Sequence, residues 1–280
     1  YVVNLGTTSV NIVSDGTYLL DGGSVFGRIP KAQWEPQVKP DRRNRIRLGL
    51  NCLVIQTPEI NILVDTGAGS KRPDKFKEMY GLNGNKLLKN LRGLDLTARD
   101  IDLVILSHLG FDHGGGSTKL DRTGNAVPTF PKATYMVQRA CWDEANHPNE
   151  RNEETFYGDD FVPLEQKGLL KFLDGDTEVI PGVTVKVANG PAEGHQIVLV
   201  ERGSEKIAFA SDLIPTAYHL PLSYIPALDE SPGSTLDQKR DLLNMVVQNG
   251  WLVIFGHGHE HRAGYVQARN GKPQLLPVEF

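Results

Sequence analysis

One segment constrains the fold more than any other: residues 101–106 form an apolar run that leads directly into Ser-His-Leu-Gly-Phe-Asp-His-Gly-Gly-Gly at 107–116. A short apolar run bounded by turn-forming residues is typical of a buried strand. The glycines permit a tight, irregular turn, which two imidazoles and a carboxylate need if they are to converge on one ion. The sequence therefore predicts a metal-binding loop at the end of a buried strand.

Later segments repeat this arrangement of a strand followed by a side chain that can bind a metal. Asp212 ends one apolar run, His257 follows another, and His195 lies in a Gly-His-Gln segment. Side chains at strand ends are held by the sheet and can be aimed into one cleft. Imidazole nitrogens and carboxylate oxygens suit divalent zinc, manganese or iron. The predicted metal ligands are His108, Asp112, His113, Asp212 and His257, with His195 as a further candidate.

Each of these residues also has a structural alternative. Asp112 and Asp212 can cap the turns that follow them, and His108 can hydrogen-bond the loop backbone. His195 can support a ligand from behind or lie in the core. Beyond Asp212, His219 is a candidate substrate contact or additional ligand. Tyr218 and Tyr224 are candidate donors to a leaving oxygen, with core packing as the alternative for both.

The rest of the chain mixes strand and helix patterns, which predicts an α/β (α+β) fold. Residues 9–20 are predicted to form a hairpin around the Asp15-Gly16 turn signal. Helical spacing of apolar residues begins near residue 72 and is interrupted at 81–84. Further elements are predicted as strands at 48–56, 60–65, 102–106, 134–137, 183–187, 197–200, 206–210 and 251–255, and as a helix at 236–248.

Composition limits the partners. The chain has 30 Lys and Arg against 34 Asp and Glu, a net charge of −4, so it lacks the basic footprint of a protein that binds nucleic acid or anionic membranes. No apolar run approaches the roughly 18 residues of a membrane span. We expect a soluble, cytoplasmic protein with a small-molecule substrate, and a homodimer is compatible with the sequence. The chain begins Tyr-Val-Val, which leaves a removed leader open.

On these residues the sequence resembles the metallo-β-lactamase superfamily, in particular its lactonase-like and organophosphate-hydrolase-like branch. Residues 106–115 are similar to the family's His-x-His-x-Asp-His loop, and Leu-Val-Asp-Thr-Gly at 63–67 is similar to its opening β-layer. The segment ending in Asp212 resembles the one that carries a bridging aspartate, and Phe-Gly-His257 the one that carries the last histidine. The resemblance implies a four-layer αβ/βα sandwich built as a single domain over residues 1–280.

Two positions depart from the family pattern. Gly110 occupies the place of the loop's second histidine, and alignment on the Gly-His-Gln segment places Pro191 where another histidine ligand is expected. Neither residue has a side chain that can bind a metal. The resemblance therefore implies one firmly bound ion, most simply Zn²⁺ with Mn²⁺ or iron as alternatives, held by Asp112, His113, Asp212 and His257. A second ion would bind weakly or not at all, and histidines at 110 and 191 would be needed to restore it.

The resulting expectation is a hydrolase of a small ester, lactone or phosphoester that uses a metal-bound hydroxide. Asp112 or Asp212 would position that water and accept its proton. Fold resemblance does not fix the substrate. A metal-poor protein that binds a small ligand without turning it over is the main alternative, and redox chemistry with iron is another.

Overall fold

The computed structural model describes residues 3–203 and 205–279. The strands are β1 (Val3–Leu5), β2 (Thr8–Asp21), β3 (Arg45–Gln56), β4 (Asn61–Val64), β5 (Leu103–Ile105), β6 (Thr118–Leu120), β7 (Ala126–Pro128), β8 (Thr134–Gln138), β9 (Leu170–Leu173), β10 (Thr177–Ile180), β11 (Val183–Val187), β12 (Gln196–Arg202), β13 (Glu205–Phe209), β14 (Leu252–Ile254), β15 (Ala263–Arg269) and β16 (Lys272–Val278). The helices are α1 (Gly22–Phe26), α2 (Lys31–Trp34), α3 (Asp74–Met79), α4 (Leu87–Arg92), α5 (Phe111–Gly114), α6 (Arg139–Asn146), α7 (Gly158–Gln166) and α8 (Pro232–Asn249). Single turns of 3-10 helix lie at Gly115–Ser117, Ser211–Leu213 and Ala217–His219.

Across the described residues the strands form two seven-stranded sheets and one two-stranded sheet. The first sheet has the order β1-β2-β3-β4-β5-β8-β9, and the second has β10-β11-β12-β13-β14-β15-β16. By contacts, the same residues divide into two compact units, 3–16 with 50–177 and 17–49 with 178–279. The predicted mixed α/β class is confirmed.

In the first unit, parallel strands carry the glycine-rich segment 107–116, which we call the ligand loop. β4, β5, β8 and β9 run parallel, and β3 is antiparallel to β4. The register Val64↔Ile105 sets the carboxyl ends of β4 and β5 side by side, so residues that follow these strands meet at one edge of the sheet. The strands predicted at 60–65, 102–106 and 134–137 are confirmed.

Helices cover this sheet because their apolar faces need a surface to bury against. The helical spacing predicted on both sides of the 81–84 interruption is confirmed as α3 and α4. Both cysteines are buried free thiols, as expected. The shared core includes Leu63, Val104, Tyr135 and Val137 from the strands and Leu87, Leu91, Cys141, Phe161 and Leu164 from the helices.

The hairpin predicted at 9–20 is wrong, because β2 is one continuous strand through both residues of the turn signal. The Asp15 carboxylate accepts hydrogen bonds from the backbone amides of Gly69 (2.9 Å), Lys86 (3.0 Å) and Leu87 (3.1 Å). It therefore caps α4 from a distance and is not available to close a local turn. Gly16 is required for a different reason, since a Cβ there would lie 1.8 Å from the carbonyl oxygen of Asn83.

In the second unit, β13 and β14 are parallel, while β12 and β15 flank them in the antiparallel direction. The register Phe209↔Ile254 aligns the carboxyl ends of β13 and β14, which again brings the residues that follow to one sheet edge. α8 buries Leu242, Leu243 and Val246 in the core of this unit. None of the helices within 3–203 and 205–279 has the length and apolar character needed to cross a lipid bilayer.

The sheet of the second unit ends in a two-residue hairpin. Asn270 (φ 51°) and Gly271 (φ 71°) both adopt left-handed backbone between β15 and β16, as a type I′ turn requires. The register Arg269↔Lys272 closes the turn, and β16 is the last strand in the sheet order. β16 carries prolines at 273 and 277, opposite Ala268 and Gly264.

Candidate metal centre

The ligand loop places its imidazoles and carboxylate within little more than one helical turn. α5 begins immediately after Gly110, so Asp112 and His113 project from consecutive positions of a short helix. His108 and His113 are 4% and 2% exposed, whereas the Asp112 side chain is 13% exposed. The carboxylate is therefore the member of this group that reaches solvent.

Asp65 sets the orientation of His113. Its Oδ2 atom accepts a hydrogen bond from His113 Nδ1 at 2.8 Å, and its Oδ1 atom accepts one from the Ser107 amide at 2.7 Å. The Ser107 hydroxyl donates to Asp65 Oδ2 at 2.9 Å. Because Nδ1 of His113 donates to a carboxylate, its Nε2 atom carries the lone pair in the neutral ring. Asp65 was not among the predicted site residues, although the Asp-Thr-Gly that follows β4 is the signal for it.

The ligand atoms of the loop lie at spacings that one cation can bridge. His113 Nε2 is 4.0 Å from Asp112 Oδ2. The ring centroids of His108 and His113 are 4.3 Å apart, and each ring has a nitrogen within 4.8 Å of one in the other. Two metal bonds of about 2.1 Å at a tetrahedral angle would hold their ligand atoms about 3.4 Å apart. A small inward movement of these side chains would meet that value.

The second unit contains its own group of candidate ligands, which follow the parallel strands β13 and β14. Asp212 lies in the 3-10 turn after β13, and His257 follows β14. His257 Nδ1 donates to the Gly49 carbonyl oxygen at 2.8 Å, and the Gly49 amide donates to the His257 carbonyl oxygen at 3.0 Å. This reciprocal pair fixes both the backbone and the ring of His257.

The contact between His257 and Asp212 is what a cation site would contain. His257 Nε2 lies 3.0 Å from Asp212 Oδ1. A carbonyl oxygen can only accept, so the proton of the neutral ring is on Nδ1, and Nε2 presents a lone pair toward the carboxylate. Two acceptors at this distance repel each other unless positive charge lies with them. The donor set therefore fits a divalent metal, and in its absence His257 would have to be protonated.

His195 has hydrogen-bond partners for both ring nitrogens. Nδ1 donates to the Ala188 carbonyl oxygen at 3.1 Å, and Nε2 accepts from the Asp212 amide at 3.3 Å. The residue is fully buried. This environment favours the supporting role that the sequence left open, because a metal bond at Nε2 would have to displace the Asp212 amide.

His219 lies in a core environment. Thr216 Oγ1 is 2.8 Å from its Nδ1 atom, and Nε2 is 2.9 Å from the carbonyl oxygen of Val25. Its ring stacks on Phe26 with centroids 5.4 Å apart. Burial lowers the pKa of His219 to about 3, so the ring is neutral at physiological pH. These contacts favour a packing role over the predicted substrate contact.

The two candidate tyrosines both pack near Phe26. Tyr218 donates its hydroxyl proton to Glu260 Oε2 at 2.6 Å, and burial together with that carboxylate raises the pKa of Tyr218. The Tyr224 hydroxyl accepts from Gln37 Nε2 at 3.3 Å. A tyrosine that already donates to a carboxylate is a poor donor to a leaving oxygen, so Tyr224 is the freer of the two candidates.

The two departures from the ligand pattern leave different surroundings. At Gly110 a Cβ atom would lie 2.6 Å from His108 Nε2 and 3.2 Å from Asp112 Oδ1. Pro191 lies in the bend before His195, and its carbonyl oxygen accepts from the Glu230 amide at 3.3 Å. The 110 position is therefore filled by a neighbouring imidazole.

Comparisons with known proteins agree with these features. A sequence profile of the Metallo-beta-lactamase superfamily matches residues 45–257. An N-acyl homoserine lactonase of Bacillus cereus is 26% identical over 238 residues, which is 79% of this chain and 86% of that protein. The structure of a probable metal-dependent hydrolase from Staphylococcus aureus is similar with a TM-score of 0.89 and 27% identity over 99% of this chain and 100% of the other. AidC, a dizinc quorum-quenching lactonase, has a TM-score of 0.83 and 21% identity over 100% of this chain and 97% of its own.

Proposed function

The chain belongs to the metallo-beta-lactamase superfamily, and from that premise we propose that it is a metal-dependent hydrolase of small lactones or related esters. The observation that carries the proposal is the pair of acceptors formed by His257 Nε2 and Asp212 Oδ1 at 3.0 Å. Such a pair is stabilised by a cation, because Nδ1 of the same ring donates to Gly49 and the neutral ring then has no proton on Nε2 to donate to the carboxylate.

We propose that Asp112, His113, Asp212 and His257 are the ligands of the firmly held ion. Zinc is the simplest choice, because two imidazoles and two carboxylates match its preferred donors. His108 would share Asp212 in a weaker second site, since Gly110 and Pro191 supply no ligand there. His195 would hold the Asp212 backbone in place and would not bind the metal.

The chemistry that a bound divalent ion would supply is Lewis acidity, which makes water nucleophilic near neutral pH. The protein's own contribution is orientation and proton transfer. Asp65 and the Gly49 carbonyl hold the two rings so that Nε2 faces inward. The Asp212 side chain is 23% exposed, so it can contact both a water molecule and solvent. We propose that Asp212 or Asp112 accepts the proton of the attacking water.

A cluster of aromatic side chains beside the ligand loop supports a substrate with an apolar portion. Phe111 packs edge-on against Phe76 at 5.1 Å and lies 5.4 Å from Tyr80. Tyr157 completes the cluster against Phe76 at 5.7 Å. Tyr80 and Tyr157 are partly exposed, so the cluster presents an aromatic surface next to Asp112. The lactonase relatives act on N-acyl homoserine lactones by name, and we propose lactones with an acyl chain as the substrate class.

Metal analysis and hydrolysis assays test this proposal. Protein prepared without added metal should contain about one zinc, manganese or iron per chain. It should also open N-acyl homoserine lactones in a reaction that a chelator stops and metal restores. Asp112→Ala and His257→Ala should each lose the ion and the activity. His147→Ala, an exposed histidine outside both ligand groups, serves as the control and should retain both. Hydrolysis that survives complete metal removal would overturn the proposal.

A second candidate is favoured by the missing side chains at Gly110 and Pro191. A chain with a depleted first site could bind a small lactone or ester through the remaining candidate ligands without hydrolysing it. The two candidates differ in one measurement. A binder would give a saturable heat of binding in calorimetry and no hydrolysis product at any metal concentration. It would also show no activity in assays of phosphotriester hydrolysis and of oxidation.

A further inference from the structure

The backbone conformation at position 110 does not require a glycine. Its φ and ψ are −56° and 143°, which lies in the extended region that every L-amino acid adopts readily. The residue is the N-cap of α5, where serine, threonine, aspartate and asparagine are as well suited as glycine. The reason for a glycine must therefore lie in what surrounds its Cα atom.

The side chain of His108 occupies the space where a side chain at 110 would begin. A Cβ at this position would lie 2.6 Å from Nε2 and 3.1 Å from Cδ2 of His108, and 3.2 Å from Oδ1 of Asp112. Carbon atoms make favourable contacts only from about 3.5 Å outward. Even an alanine at 110 would therefore have to move the imidazole of His108.

The surroundings of that imidazole favour its present position. His108 is 4% exposed, its Nδ1 atom is 3.2 Å from the Ser107 hydroxyl oxygen, and its ring lies 4.3 Å from that of His113. The Ser107 hydroxyl is itself tied to Asp65. A ring displaced by a new side chain would have to leave this arrangement.

We propose that Gly110 is a positioning residue for His108. Because position 110 has no side chain, the imidazole of His108 can lie across the loop toward Asp112. It then occupies the volume that the side chain of a histidine at 110 would need. The importance of this for metal binding rests on the proposed function, but the geometric coupling between positions 108 and 110 does not. One consequence is that a histidine at 110 would not simply add a ligand, because His108 would first have to vacate the same volume.

The test compares Gly110→Ala with a matched variant in the same loop. At Gly114 a Cβ would meet its nearest neighbour, the Leu109 Cα, at an ordinary 3.7 Å. In metal-free protein, Gly110→Ala should expose His108 and speed its modification by diethylpyrocarbonate, measured by mass spectrometry. Gly114→Ala should leave that rate unchanged. With zinc, chelator competition should show that Gly110→Ala weakens binding by about tenfold or more, because the displaced His108 ring lies against His113, a proposed ligand of the firmly held ion, and would disturb its orientation.

A double-mutant cycle with His108→Ala separates positioning from a general structural effect. Once the imidazole is gone, a methyl group at 110 meets no obstacle, so His108→Ala and His108→Ala/Gly110→Ala should have the same zinc affinity and thermal stability. Additive losses would overturn the proposal. If Gly110→Ala alone does not fold, recovery of folding in the double variant supports the coupling, and failure to recover while His108→Ala folds refutes it.

The outcome also distinguishes this inference from the proposed function. If no form of the protein binds zinc, manganese or iron, the hydrolase proposal fails. The modification rate of His108 in metal-free protein still decides whether Gly110 positions that ring. If zinc binds but the rate and the affinity are the same in Gly110→Ala and Gly114→Ala, the coupling is absent and the hydrolase proposal stands.

Discussion

At the scale of single residues, the Nδ1 contacts of two histidines decide what the site can bind. His113 donates to Asp65 and His257 donates to the Gly49 carbonyl. In both rings this leaves Nε2 as the atom that faces a carboxylate. The backbone at Asp65 is left-handed, with φ of 57°, a conformation that aspartate and asparagine tolerate better than most residues. The hydrogen-bond partners of the two rings therefore decide which nitrogen of each histidine is available to bind a metal.

Asp65→Asn tests this dependence. The amide keeps the shape of the side chain and tolerates the left-handed backbone, but it weakens the hydrogen bond that orients His113. We expect zinc affinity to fall about 10–100-fold, measured by competition with a chromophoric chelator. Asp102→Asn is the control, because the Asp102 carboxylate lies at the other end of β5 and accepts a hydrogen bond from the Asn61 backbone amide at 2.8 Å. Equal affinities in the two variants would contradict the prediction.

His219 should make stability depend on pH. Its pKa is about 3 in the folded protein against 6.5 ordinarily, chiefly because it is buried. Between these values the unfolded chain binds a proton that the folded chain excludes. The contribution of the neutral ring is complete above about pH 6.5 and is lost by about 1.4 kcal/mol per unit as the pH falls toward 3.

The measurement is the difference in free energy of unfolding between the parent and His219→Gln. That difference should change by about 2 kcal/mol in favour of the variant between pH 6.5 and 4.5. His147→Gln, at an exposed histidine, should follow the parent at both pH values. Parallel pH curves for the parent and His219→Gln would contradict the assignment.

At the scale of elements, a buried ion-pair cluster ties the ligand loop to its neighbours. Lys71, in the segment between β4 and α3, donates to the carbonyl oxygens of Gly115 and Thr118. Its ammonium lies 2.7 Å from Asp160 of α7, and both side chains are 1% exposed. Arg72 joins the same carboxylate at 2.7 Å. One cation thus links three segments around the end of the loop.

Lys71→Met should destabilise the protein strongly. It leaves two carbonyls and part of the Asp160 charge without their partner in a buried position, where such losses cost about 3–5 kcal/mol. Denaturant unfolding gives this value directly. Lys77→Met is the matched control, since Lys77 pairs with Asp74 at the surface of α3 with 41% and 93% exposure, and exposed pairs contribute at most about 1 kcal/mol. Similar losses in both variants would show that the cluster has no special role.

Elements with a clear hydrophobic periodicity could be predicted from the sequence. The sequence could not show which of two similar turn dipeptides forms a hairpin. The strands at 183–187 and 134–137 and the long helix α8 follow directly from apolar spacing. Asp15-Gly16 and Asn270-Gly271 are equally good turn dipeptides locally. Only the second is a hairpin, because the Asp15 carboxylate is recruited by amides more than fifty positions away. Helix α7 was missed because Pro163 lies inside it.

The site shows the same division. The predicted ligands fall into two groups, His108, Asp112 and His113 in one unit and His195, Asp212 and His257 in the other, because residue type and position at a strand end are local signals. Each of His195 and His219 also has a hydrogen-bond partner that is distant in sequence, the Asp212 amide for His195 and the Val25 carbonyl oxygen for His219. The packing of His108 over Gly110 is a steric relation that spacing alone does not contain.

At the scale of the whole molecule, the chain crosses between its two units three times, at 16–17, 49–50 and 177–178. β2 and β3 each contribute residues to both. A unit assembled from separated stretches of sequence cannot fold on its own from one continuous segment. We therefore propose, in line with the sequence expectation, that residues 1–280 act as a single cooperative domain.

Tryptophan fluorescence can test this cooperativity. Trp142 lies in the first unit, and Trp34 and Trp251 lie in the second. Unfolding in urea followed with only Trp142 retained should coincide with unfolding followed with only Trp251 retained, the others being replaced by phenylalanine. Two separated midpoints in variants of equal overall stability would show that the units unfold independently.

The prolines of β16 have a consequence for behaviour at high concentration. Arg269 and Lys272 form the hydrogen-bonded pair that closes the two-residue turn. Because hydrogen-bonded and non-hydrogen-bonded pairs alternate along an antiparallel ladder, the backbone nitrogens of Pro273, Leu275 and Pro277 face away from β15. Two of these three nitrogens belong to prolines and carry no hydrogen. A strand from another molecule that paired with this edge of the sheet would therefore find a single outward-facing amide donor among the three. Strand-by-strand aggregation through the β16 edge should therefore be slow, even at high protein concentration. A β16 edge with a continuous row of amide donors would aggregate faster.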